Sequence, residues 1–170
     1  MLFQNKFRKE SARLKEWDYL NPWWYYITIS TKNHCHFFGE ISNGKMNSNK
    51  LGLIVEKYWE EIPKHYQNVE IDYYVVMPNH IHGIIIINPA VETRHASSLQ
   101  NKSITLSNIV GSFKSAVSKH ARENSNSNFV WQERFYDRII RNEKELFNIR
   151  KYIEQNPMKW EFEKDKPENL

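Results

Sequence analysis

One stretch of this chain, residues 75–87, constrains the fold more than any other. It ends in an unbroken run of four isoleucines, 84–87, and two histidines precede that run, His80 and His82. A run this apolar, bounded by turn residues, indicates a buried strand in the middle of a sheet. Alternate residues of a strand share a face, so the two imidazoles lie together and Ile81 points the other way. Two interpretations follow: one packed and one exposed histidine, or two adjacent ligands of a metal ion.

Strand and helix patterns continue on both sides of this stretch. Four segments have the β-branched and aromatic residues or the turn signals of strands and hairpins: 23–31, 37–46, 69–76 and 80–87. Three have apolar residues at helical spacing: 51–62, 106–117 and 142–156. Pro157 is expected to end the last helix near Asn156, because the residue before a proline avoids the helical region. Residues 129–132 are expected to form a short strand, and no pattern assigns 135–141.

Length and composition set outer limits on what the chain does. With 170 residues, of which 40% are hydrophobic and 14% aromatic, one folded domain is expected over residues 1–170. A formal charge of +4 permits a polyanionic partner without requiring one. Cys35 is the only cysteine, which is typical of a reducing cytosol, and no apolar run is long enough to span a bilayer. We expect a cytoplasmic protein without a membrane segment, with a basic N-terminal arm at 1–20 and a C-terminal tail at 159–170.

Tyr152 and Asn156 lie four residues apart, so a helix places them on one face. Taken alone, they are a tyrosine at the edge of the core and an asparagine that ends a helix. Together with His80 and His82, they suggest a nucleophile and a further metal ligand. A phenol with a pKa of about 10 is a poor nucleophile while protonated, and a cation beside a phosphodiester would polarise it for attack. Such a site could form a covalent phosphotyrosine.

Five blocks of sequence occur in order between about residues 11 and 160: 13–19, 75–84, 112–115, 131–142 and 152–157. Through these blocks the chain resembles the single-tyrosine transposases, and especially the REP-associated branch. The resemblance implies an α+β fold, a ferredoxin-like α/β sandwich with a central antiparallel sheet and helices packed on it. It also implies cleavage and rejoining of single-stranded DNA at hairpin-flanked sites, which leaves a 5′-phosphotyrosine and a free 3′-OH and needs no nucleotide cofactor.

The resemblance assigns roles to particular residues. His80 and His82 match the metal motif of the HUH endonucleases, Asn156 matches the polar residue that completes the metal site, and Tyr152 matches the nucleophile. Tyr136 is a rival nucleophile that lacks an asparagine one turn later. The metal of the family is Mg²⁺ or Mn²⁺, although two imidazoles would also accept Zn²⁺ or Ni²⁺.

Four basic residues are candidate contacts to DNA phosphates: Lys114, Arg134, Arg138 and Arg141. With Trp131 and Phe135 they resemble a groove for single-stranded DNA, in which charge and base stacking combine. Each taken singly is a plain surface charge, and Trp131 taken singly is a core residue.

Two other functions remain open on the sequence. One is a domesticated, non-catalytic protein that binds hairpin DNA, and the other is a His-x-His metal phosphodiesterase. Both monomers and homodimers occur in the wider group of transposases. Whether Tyr152 serves the histidines of its own subunit or of a partner therefore also stays open.

Overall fold

A computed structural model describes residues 22–89, 104–124 and 128–164. The expected basic arm at 1–20 and the last residues of the expected tail, 165–170, lie outside the described residues. The elements follow one another as β1 (Trp23–Ser30), a 3-10 turn (Lys32–His34), β2 (Gly39–Ser42), β3 (Lys45–Ser48), α1 (Lys50–Glu60), α2 (Ile62–His65), β4 (Val69–Met77), β5 (His80–Ile87), α3 (Leu106–Glu123), β6 (Tyr136–Ile139) and α4 (Glu143–Lys164).

Four of the strands form one antiparallel sheet in the order β4-β5-β1-β6. If the separate β2–β3 hairpin is left aside and α1 and α2 are taken together, the elements follow the order strand, helix, strand, strand, helix, strand. This is the ferredoxin-like arrangement, so the expected α+β fold is confirmed. β5 lies between β4 and β1, which confirms that the isoleucine run is internal to the sheet.

Helices cover both faces of the sheet. Tyr25, Ile27 and Ile29 of β1 pack with α1 and α3 in the larger core, whereas Tyr26 packs with Ile153 of α4 in a smaller one. Because β5 is buried on both faces, it has no need of a polar side and carries an apolar run instead of an alternation. No helix in the described part of the chain is both long and apolar enough to cross a membrane.

The predicted local elements are mostly present, with corrections. The hairpin expected within 37–46 is β2–β3, and its turn residues Asn43 and Gly44 both have positive φ, 53° and 67°. That geometry is what an Asn-Gly hairpin turn adopts. The expected strand at 129–132 is wrong, since Trp131 forms only an isolated bridge to Thr31. Strand β6 occupies the segment to which the sequence assigned nothing.

The expected end of the last helix is also wrong. α4 continues through Pro157 to Lys164 and so includes much of the expected tail. A proline inside a helix removes one backbone hydrogen bond, but the two turns beyond it are held by tertiary contacts. The Glu161 carboxylate accepts hydrogen bonds from the backbone N–H groups of Asn43 (2.9 Å) and Gly44 (2.5 Å). The Trp160 ring packs 5.7 Å from that of His80.

Candidate active site

The two histidines of β5 lie on the face of the sheet that α4 covers. Their Nε2 atoms are 2.9 Å apart, and His82 is only 6% exposed. Burial lowers the pKa of His80 to about 4, with a further contribution from neighbouring His34 and His36. Burial, followed by the charge of His80, lowers the pKa of His82 to about 3. Both imidazoles are therefore neutral at pH 7, which is the form that binds metals.

Asn79, the residue before His80, determines which ring nitrogen of His80 carries the proton. Asn79 is buried, and its Nδ2 donates to the backbone carbonyl of His34 (3.0 Å). Its Oδ1, 2.6 Å from His80 Nδ1, is left to accept, so Nδ1 carries the hydrogen. The lone pair of His80 is then on Nε2, facing His82.

His82 is oriented from the neighbouring strand. Its Nδ1 lies 2.8 Å from Tyr26 Oη and 2.8 Å from Thr28 Oγ1, and the β1–β5 register sets Thr28 directly opposite His82. Burial raises the pKa of Tyr26, so its phenol stays protonated and neutral. Both oxygens can accept from Nδ1, and in that tautomer the lone pair of His82 is on Nε2 as well.

Two lone pairs at this separation repel unless a proton or a cation lies between them. Two ligand atoms that bind one octahedral ion at about 2.1 Å and at a right angle are separated by about 3.0 Å. The observed 2.9 Å fits that arrangement, and it equally fits a hydrogen bond between the two nitrogens. Among the described residues, no cluster of three or more His, Cys, Asp or Glu side chains forms.

Helix α4 brings Tyr152 onto the histidine pair within the same chain. The Tyr152 ring lies 5.3 Å from that of His82 and 6.3 Å from that of Tyr26, edge to face in both cases. It remains 41% exposed. The tyrosine is thus in contact with the buried site while one side stays accessible to a large substrate.

Asn156 lies between the two points at which α4 touches the histidines. Tyr152, four residues earlier, contacts His82, and Trp160, four residues later, contacts His80. Residues spaced by four share a helix face, which places Asn156 over the pair. Asn156 is only 7% exposed, and its side chain forms no hydrogen bond with any other described residue. Its amide oxygen is of the ligand type that a hard divalent cation accepts.

A protein from Haemophilus influenzae whose function is uncharacterised is 42% identical to this chain over 162 residues, 90% of each chain. The two proteins belong to one family. A solved structure of a REP-associated tyrosine transposase bound to a REP hairpin matches with a TM-score of 0.53 and 18% identity, covering 87% of this chain and 74% of that one. The chain shares the fold of that solved structure. No protein-family model matches the chain.

In this fold, the four basic candidates do not all lie on one face of the sheet. Arg138 stands opposite Tyr26 in the sheet, hence on the histidine face, where it pairs with Glu145 at 2.6 Å. Arg134 and Arg141 are exposed, and they come before and after β6 in the chain. Lys114 belongs to α3 on the opposite face, and its Nζ donates to the backbone carbonyls of two loop residues, Gln132 (2.8 Å) and Glu133 (3.0 Å).

The aromatic candidates separate in the same way. Trp131 is 6% exposed and belongs to the larger core, as its apolar character alone indicated. Tyr136 is 49% exposed on the histidine face, with its ring 6.4 Å from that of Tyr26. Tyr152 is the tyrosine whose ring contacts His82.

Sequence reasoning missed three residues that orient the histidines. Asn79 lies between the predicted strands 69–76 and 80–87, where no pattern assigns it a role, although its position next to His80 is a signal that could have been used. Tyr26 and Thr28 were interpreted only as strand residues. Their role depends on the register between β1 and β5, for which the sequence carries no local signal.

Proposed function

We propose that the protein is a metal-dependent endonuclease and strand transferase for single-stranded DNA, acting through a phosphotyrosine intermediate. One observation carries the proposal: Tyr152 lies against His82, and beside it two imidazole nitrogens stand 2.9 Å apart. A hydroxyl nucleophile next to a pair of metal-binding nitrogens is suited to attack on a phosphodiester.

The substrate class follows from the fold that the chain shares. The solved transposase of this fold is bound to a REP hairpin, and we extend that class of ligand to this chain: single-stranded DNA beside a hairpin. The exposed edge of Tyr152 supports the extension, because a strand can reach it from solvent. Arg138 and Arg141, on or beside the same face, would favour a polyanion.

Three side chains would hold the cation: His80, His82 and Asn156. When bound, Mg²⁺ or Mn²⁺ would neutralise charge on the phosphoryl oxygens during attack. An amide oxygen is a donor that both ions favour, while the imidazoles would also accept softer ions. Tyr26, Thr28 and Asn79, bonded at the Nδ1 atoms, would keep both Nε2 lone pairs free for the cation.

In the cleavage step, Tyr152 Oη forms a bond to phosphorus and the bond from phosphorus to the 3′ oxygen breaks. The phenol loses its proton, the departing oxygen gains one, and the products are a 5′-phosphotyrosine and a free 3′-OH. Attack by another 3′-OH on the phosphotyrosine reverses the step and restores the phenol. The phosphoester bond is conserved throughout, so rejoining needs no nucleotide cofactor.

The test uses labelled single-stranded oligonucleotides that carry a hairpin, incubated with the full chain and Mn²⁺. We expect a covalent protein–DNA adduct that survives denaturing electrophoresis. Tyr152→Phe should reduce it to background because the nucleophilic oxygen is gone. Tyr136→Phe, which removes the exposed phenol on the same face, is the matched control and should retain the adduct.

Other outcomes would replace the proposal. Hairpin binding without an adduct on any flanking sequence would favour a non-catalytic DNA-binding protein. Cleavage that persists in Tyr152→Phe would favour a His-x-His phosphodiesterase that uses water as the nucleophile.

A further inference from the structure

We propose that Lys159 and Trp160, on the part of α4 beyond Pro157, form a nucleotide subsite of the active site. Lys159 would bind the phosphate that Tyr152 attacks, and Trp160 would stack against an adjacent base. The proposal rests on the function proposed above and names two residues that the metal and nucleophile assignments do not use.

Lys159 is placed over the nucleophile. Its Nζ lies 5.3 Å from the centre of the Tyr152 ring. The side chain is exposed and forms no ion pair with any other described residue. An ammonium over an aromatic face gains a modest cation–π attraction, and its three N–H donors remain available to phosphate oxygens. A phosphate in reach of Tyr152 Oη is therefore also close to this charge.

Trp160 forms the wall beside the metal-binding pair. Its ring lies 5.7 Å from that of His80 and 5.7 Å from that of His36, which is exposed. The tryptophan itself is only partly buried. An aromatic surface open to solvent and next to a phosphate-binding cation is the combination that single-stranded nucleic acids use, since every base offers a face for stacking.

The subsite is held in place by the residue that follows. Glu161 accepts hydrogen bonds from the N–H groups of Asn43 and Gly44 in the β2–β3 turn, so the last turns of α4 are fixed to the hairpin. Lys159 and Trp160 are consequently presented from a rigid helix, which favours a defined position for the strand. Residues 159 and 160, which the sequence assigned to the C-terminal tail, therefore belong to the proposed subsite.

The experiment measures binding without chemistry. A Tyr152→Phe protein is titrated, with EDTA present, against a short fluorescein-labelled oligothymidylate, and anisotropy is followed over a range of salt concentrations. Adding Lys159→Gln should weaken binding several-fold and reduce the slope of log K against log salt by about 0.7, the value for one lost phosphate contact on a single strand. Lys57→Gln, an exposed lysine on α1 at the other face of the sheet, should leave the slope unchanged.

Trp160 is tested by a pair of substitutions in the same background. Trp160→Leu should weaken binding by about tenfold because stacking is lost, whereas Trp160→Phe should retain most of the affinity. An unchanged salt slope in Lys159→Gln, or equal affinities for the leucine and phenylalanine variants, would overturn the subsite. Adduct formation by the wild-type protein is scored separately: its absence would refute the proposed function and leave a DNA-binding subsite standing.

Discussion

At the scale of single residues, the site depends on hydrogen bonds to the far side of each imidazole. Asn79 holds His80, and Tyr26 with Thr28 holds His82, and in each case the bonded atom is Nδ1. Fixing Nδ1 determines which nitrogen is free for a cation, and it also fixes the direction of the ring. The histidines supply the donors, but their neighbours decide where those donors point.

Removing one of these neighbours should weaken metal binding. For Tyr26→Phe we expect about a tenfold loss of Mn²⁺ affinity, the low end for partners of this kind, because Thr28 still contacts Nδ1. Isothermal titration of the full chain with Mn²⁺ measures the change. Tyr74→Phe, which removes a phenol bonded to Glu60 on the other face of the sheet, is the control. Equal affinities for the two variants would contradict the orienting role.

At the scale of elements, β5 contacts a helix on each face of the sheet. His82 faces α4, and the next residue, Gly83, faces α1. A Cβ at Gly83 would lie 2.3 Å from Cζ2 of Trp59, whose side chain is fully buried. The glycine allows this ring to lie directly against the strand that carries the histidines.

We therefore expect Gly83→Ala to lower the free energy of unfolding by roughly 1–3 kcal/mol, as overpacking of a rigid core does. The matched control is Gly111→Ala, where a new Cβ on α3 meets nothing within 4 Å. That change should stabilise the protein by up to about 1 kcal/mol, because alanine is the better helix former. Urea unfolding measures both, and a neutral Gly83→Ala would show that Trp59 can move aside.

α4 shows how one element can unite several parts of a site. Its first half packs Ile153 against the sheet, its middle supplies Tyr152 and Asn156, and its last turns reach the β2–β3 hairpin through Glu161. A helix that ended near Asn156, as the proline rule predicts, would carry Tyr152, the proposed nucleophile, but not Lys159 or Trp160. Its continuation brings the Trp160 ring against His80.

At the scale of the whole molecule, the fold buries two titratable groups under one helix. Well above the unfolded pKa of 6.5, both histidines are neutral whether the chain is folded or unfolded, so they add no pH dependence there. As the pH falls from 6.5 towards 4, the unfolded chain takes up protons that the folded chain cannot, because the folded pKa values are about 4 and 3. Stability contributed by these groups is therefore lost in that window.

We expect the free energy of unfolding to fall between pH 7 and pH 4.5 by roughly 2–3 kcal/mol for each histidine, through the linkage of about 1.4 kcal/mol per pH unit. Urea denaturation at a series of pH values, with EDTA present, measures it. The His80→Gln, His82→Gln double variant should show a clearly shallower dependence. If wild type and double variant have parallel profiles, the histidines are not the buried neutral groups described above.

The local architecture and the candidate residues were accessible from the sequence. The period of two puts His80 and His82 on one face, the isoleucine run predicts an internal strand, and spacings of three and four predict the helices. These are consequences of backbone geometry within a few residues, so a single segment is enough to establish them. The family blocks added an expectation of the fold that the structure confirms.

Tertiary structure alone decided how those parts meet. The β1–β5 register set Tyr26 and Thr28 against His82, and the packing of α4 set Tyr152 there as well. Tertiary contacts also allow α4 to continue past Pro157. The proline removes a local hydrogen bond, and two contacts with parts distant in the chain offset that loss: Trp160 with His80, and Glu161 with the β2–β3 turn. Register and long-range packing are set by energies summed over the folded molecule, and no local pattern of residues encodes them.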